Sequence, residues 1–99
     1  MINIWLDDVC PAPDGFIWIK SVPELINEYF NCILESKQIN IISLDNDLGE
    51  NEAEGYEFLE YLEPRIIQCN YPLPNEIRIH SADPITRERM QQVIDKLYK

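Results

Sequence analysis

Apolar residues recur along this chain in two spacings, one near two and one near 3.6. Ile2-Asn3-Ile4-Trp5-Leu6 is a short β-branched and aromatic run that stops at Asp7-Asp8, and it reads as a strand. Val9 to Gly15 holds two prolines and a glycine, which exclude a helix there. Phe16-Ile17-Trp18-Ile19 is a second strand. Ser21-Val22-Pro23-Glu24 forms a capping box, with Ser at the cap, Glu three residues on and Pro in the first turn. Val22, Leu25, Ile26, Tyr29, Phe30, Ile33 and Leu34 then recur at helical spacing. Ile39 to Leu44 is a third strand, again ending in acid at Asp45-Asn46-Asp47-Leu48-Gly49. Phe58, Leu59, Leu62 and Ile66 mark a second helix, which Pro64 is expected to kink or to end as regular structure. Glu76 to His80 is a fourth strand. Asp83 caps and Pro84 opens a third helix carrying Met90, Val93, Ile94 and Leu97.

The order β-β-α-β-α-β-α predicts an α/β sandwich, a mostly parallel sheet of about four strands with three helices. Only the first connection lacks a helix. Residues 7–15 span about 30 Å when extended, enough to cross the sheet and start a parallel strand, the arrangement expected here over a loose hairpin. No repeat, low-complexity stretch or linker interrupts the chain, so residues 1–99 are expected to form one domain.

With 99 residues, 45% of them hydrophobic, the chain has material for a core, which argues against wholesale disorder. Eight basic against eighteen acidic residues leave a net charge of −10. That balance argues against generic nucleic-acid binding, which rests on Lys and Arg neutralising phosphates, and against attraction to anionic lipid. No apolar run reaches membrane-span length, and no signal-peptide pattern opens the chain. Cys10, Cys32 and Cys69 are an odd number with no C-x-x-C pair, which fits a reducing, cytoplasmic setting. Cys32 and Cys69 read as buried apolar fillers, while Cys10 lies in the loop after the first strand.

Three of the four strands end in residues able to do chemistry: Asp7-Asp8, then Asp45 and Asp47, then His80-Ser81. In an open α/β sheet the ligand crevice lies at the carboxyl ends of the strands. Any one Asp there also fits a simple loop cap; their recurrence at one edge is the stronger signal. Asp7, Asp8 and Asp45 gathered together would repel one another unless a cation intervenes, and hard oxygen ligands suit Mg²⁺, with Mn²⁺ the alternative. His80, the sole histidine, is a candidate general acid/base or phosphate donor. Arg87 and Arg89 sit in the first turns of the last helix, where the dipole disfavours cations, a placement suited to gripping an anion. Ser81, Asp83 and Thr86 also fit as helix-start residues. Trp5 and Trp18 read as core or pocket wall. Asp45-x-Asp47-x-Gly49 begins like an EF-hand loop, but its glycine falls at position five and Tyr56 stands where the closing Glu belongs. G-x-G-x-x-G, P-loop and G-x-S-x-G motifs are absent from the sequence.

Trp5-Leu6-Asp7-Asp8-Val9-x-Pro11-Ala12-Pro13-x-Gly15, Ser43-Leu44-Asp45-x-Asp47-Leu48-Gly49, Gly55-Tyr56, Ile77-Arg78-Ile79-His80-Ser81-Ala82-x-Pro84 and Arg87-Glu88-Arg89-Met90 together resemble the cyclic-phosphate processing receiver-like family. That family is an offshoot of response-regulator receiver domains. The resemblance implies a receiver-like (flavodoxin-like) fold and action on cyclic or otherwise phosphorylated nucleotide-type molecules. It places Asp7, Asp8, Asp45, Asp47 and His80 on the family's motif positions. The family usually has Arg at Cys10, often His at Asn46 and typically Gly near Thr86. The parent receivers hold Mg²⁺ with an acidic pair after the first strand and accept phosphate on an Asp after the third, matching Asp7-Asp8 and Asp45; the fifth strand and its lysine have no counterpart here.

The expected function is therefore a metal-dependent phosphoesterase. Asp7, Asp8 and Asp45 are expected to hold the ion, and His80, Asp45 and Asp47 to act at the reacting group. Ser81, Arg87 and Arg89 are expected to bind a small phosphorylated ligand. The alternative, favoured by Cys10 and Asn46, is a non-catalytic receiver-like module that binds a partner protein or sequesters a nucleotide.

Overall fold

The computed structural model describes residues 1–46, 54–80 and 83–99. Its elements follow the expected order: β1 (Ile2–Leu6), β2 (Ile17–Ile19), α1 (Val22–Leu34), β3 (Ile39–Leu44), α2 (Gly55–Cys69), β4 (Glu76–Ile79) and α3 (Pro84–Leu97). The four strands form one sheet in the order β2-β1-β3-β4, every pair parallel. This is the flavodoxin-like arrangement without its fifth strand, and its switch point lies between β1 and β3.

Strand alternation divides the sheet into two unlike faces. Ile4, Leu6, Ile19, Ile42, Leu44 and Ile77 belong to one buried cluster with Leu25 and Tyr29 of α1, Phe58, Leu59 and Leu62 of α2, and Met90, Val93 and Ile94 of α3. All three helices therefore pack on one face. Handedness explains this for α1 and α2: β2 to β3 and β3 to β4 both step the same way along the sheet, so right-handed crossovers put their helices on the same side. The step from β1 to β2 runs the other way and belongs on the opposite face. There the connection lies against Asn3, whose side chain donates to Gly15 O at 3.4 Å, and against Trp5, whose ring meets Phe16 edge-on. Further along that face, Asn40 donates to Asn3 and Asn75 donates to Asn40. A hydrogen-bonded amide row thus runs from β1 through β3 to Asn75, the residue before β4, and no described helix covers it.

Local expectations hold at the helix starts. Ser21 accepts from Glu24 N, and Asp83 accepts from Ile85 N and from the Thr86 hydroxyl. Pro64 does not end α2, which continues to Cys69 before Asn70 closes it in the left-handed conformation. On α1, Cys32 is buried whereas Phe30 and Leu34 are exposed; Cys69, expected inside, is exposed. Among the described residues no helix is long and apolar enough to cross a membrane.

Candidate functional site

The parallel ladder runs one residue past β1, β3 and β4. Asp7 N donates to Ile19 O, Asp45 N to Leu6 O, and His80 N to Leu44 O at 2.9 Å. Asp7, Asp45 and His80 therefore keep the strand alternation and follow Trp5, Ser43 and Arg78, which are in register, on the face opposite the helices. This is the physical reason that three side chains distant in sequence meet at one edge.

His80 is held on several sides. Its ring lies flat on Trp5, 3.8 Å between centroids and 4° between planes. Nδ1 is 2.8 Å from Ser43 Oγ, and Nε2 is 3.1 Å from Asp7 Oδ2. The ring so reaches from β4 across β3 to β1. Asp7, only 4% exposed, uses its other oxygen to accept from Val9 N and Cys10 N, both at 2.9 Å. Burial works to raise the Asp7 pKa, but the Cys10 and Val9 amides and His80 together outweigh it and hold the carboxyl below its ordinary value.

One ligand atom from each of Asp7, Asp45 and His80 lies within 4.8 Å of the others. Two carboxylates and an imidazole make a donor set that fits a divalent cation. Asp8 is half-buried and stands outside this group. Asp47 and Ser81, expected at the site from sequence, lie outside the described residues. Arg87 and Arg89 are exposed in the first turns of α3, and the Arg89 guanidinium sits 4.7 Å over the Tyr56 ring. Tyr56 belongs to the first turn of α2, which abuts Asp45. A Cβ added at Gly55 would fall 2.2 Å from the Asp45 carbonyl oxygen, so only glycine permits this approach.

The indoles of Trp5 and Trp18 tie the β1–β2 loop to the site. Trp5 Nε1 donates to Cys10 O at 3.0 Å and Trp18 Nε1 to Asp7 O at 2.7 Å, while Lys20 Nζ lies 4.4 Å over the Trp18 ring. Asn46 is 8% exposed and serves α2: its side-chain oxygen accepts from Tyr56 N at 3.0 Å and its amide donates to Glu54 at 3.2 Å. Glu54, the cap residue by position, makes no side-chain capping bond. Asn46 thus caps the helix from ten residues away, a role that sequence spacing alone does not display. Ser43 was not singled out from sequence, and Trp5, read there as core or pocket wall, is the wall on which His80 lies. Their signal is a place two residues before Asp45 and Asp7 on the same strand face.

A family model described as the cyclic-phosphate processing receiver domain matches residues 2–96. The chain belongs to this family. In this cyclic-phosphate processing receiver domain, the backbone of Cys10 frames Asp7 and Trp5. No curated protein and no solved structure matches the chain.

Proposed function

We propose that this receiver domain is a cytoplasmic, metal-dependent phosphoesterase for a small cyclic or otherwise phosphorylated nucleotide-type ligand. The observation that carries this reading is the convergence of Asp7, Asp45 and His80 at the switch point of the sheet. Asp7 and Asp45 would hold the ion with His80 beside them. Mg²⁺ suits the carboxylates together with water, and Mn²⁺ suits the full set including the imidazole. A bound ion polarises a phosphoryl oxygen and lowers the pKa of bound water.

The chain's own groups supply the rest. Asp7, fixed by two loop amides and by His80, presents its second oxygen in one place. His80, pinned by Trp5 and Ser43, would offer Nε2 to the ion as a third ligand beside Asp7 and Asp45. Arg89, parked on Tyr56 beside the start of α2, and Arg87 bind the phosphate. A cation at this edge also explains how a chain of net charge −10 accepts an anion, because the ion reverses the local field.

The test is turnover of a panel of linear and cyclic nucleotides by the purified full chain, with Mg²⁺, with Mn²⁺ and with EDTA. Metal-dependent hydrolysis of one class, lost in His80→Ala, is the expected result. Tight binding of one ligand without turnover would replace this reading with the non-catalytic module. No binding and no turnover would contradict both.

A further inference from the structure

Ser43 is out of character for its strand. β3 reads Ile-Asn-Ile-Ile-Ser-Leu, and Ser43 is a polar residue only 4% exposed near its carboxyl end. A buried hydroxyl is costly unless paired. Among the described residues its side chain has one partner, His80 Nδ1 at 2.8 Å. The opposite ring nitrogen faces Asp7 Oδ2, an ionised carboxylate that can only accept. A neutral His80 therefore carries its hydrogen on Nε2 and donates it to Asp7. Nδ1 then has a lone pair, which takes the Ser43 hydroxyl hydrogen.

A cation held between Asp7, Asp45 and His80 requires the reverse. Nε2 must offer its lone pair, so the hydrogen must sit on Nδ1, and Nδ1–H then needs an acceptor in a buried place. A serine hydroxyl both donates and accepts, so Ser43 serves either arrangement by turning its O–H while the ring stays on Trp5. We infer that Ser43 is a positioning residue that lets His80 exchange tautomers in place and so present Nε2 to a divalent cation. The inference rests on the metal reading above. An apolar residue at position 43 leaves Nδ1–H unpaired, and removal of an outer-shell partner of a ligating histidine typically weakens metal affinity about 10–100-fold.

The chain has one histidine, so ¹⁵N-histidine labelling of the full chain gives a single imidazole to follow. Zn²⁺ is the probe, being diamagnetic and able to take both carboxylate and imidazole ligands. Metal-free wild type is expected to carry the hydrogen on Nε2, and Zn²⁺ is expected to move it to Nδ1. The same titration in Ser43→Ala should need about 10–100 times more Zn²⁺ at its midpoint, and Ser43→Thr, which keeps the hydroxyl, should restore the wild-type midpoint. Metal-free melting of each variant verifies its fold. A wild-type midpoint in folded Ser43→Ala would overturn the role of Ser43 and leave the metal reading standing. A wild-type imidazole unmoved by Zn²⁺ would instead overturn the metal reading, and this inference with it.

Discussion

Asp7 illustrates how one side chain joins structure to chemistry. One oxygen organises the loop after β1 and the other meets His80. Its pKa lies below the ordinary 3.8 because the Cys10 and Val9 amides and His80 prevail over burial. The carboxylate's contribution to stability is complete above that ordinary value and is lost as pH falls through the lower folded-state pKa. Acid unfolding followed by circular dichroism should therefore be steeper below about pH 4 in wild type than in Asp7→Asn. Equal acid slopes would deny Asp7 this part. Gly55 makes a second residue-level test. Alanine is intrinsically the better helix former by roughly 1 kcal/mol, but its Cβ would strike the Asp45 carbonyl, and overpacking of this kind costs about 1–3 kcal/mol. Gly55→Ala should melt lower than wild type, and a higher melting temperature would refute the close approach.

Among the elements, α2 depends on a residue outside itself. Asn46 supplies the side-chain cap that Glu54 does not, so Asn46→Ala should lose roughly 0.5–2 kcal/mol, measurable by urea denaturation. The element order was legible because each core position of α2 and α3 recurs at helical spacing and each strand is a β-branched run. Pro64 does not end α2 because Phe58, Leu59 and Leu62 stay fully buried, and tertiary packing outweighs the backbone bond that a proline removes. Phe30 and Leu34 share the period of α1 but lie to one side of the arc that meets the sheet, a distinction the hydropathy pattern does not carry. Ser43 was missed, and Trp5 was read only as core or pocket wall, because both act on His80, which the parallel register brings near and which local spacing cannot show. Asn46 was missed as a cap because it acts on Tyr56 across the loop that leads into α2.

At the scale of the whole molecule, the candidate site follows from topology. Strand order β2-β1-β3-β4 places the ends of β1 and β3 side by side at the switch point, which is why the acids after those two strands were legible as a site. The helices on one face and the loop and amide row on the other leave His80 resting on Trp5 and spanning three strands. The central claim is that Asp7, Asp45 and His80 hold a divalent cation, and thermal unfolding with EDTA, Mg²⁺ or Mn²⁺ in wild type and Asp45→Asn tests it most directly. An ion at 100 times its Kd adds about 2.7 kcal/mol, roughly ten degrees or more for a chain of this size. The account predicts such a rise in wild type and its loss in Asp45→Asn; an equal rise in both proteins, or none in wild type, would contradict it.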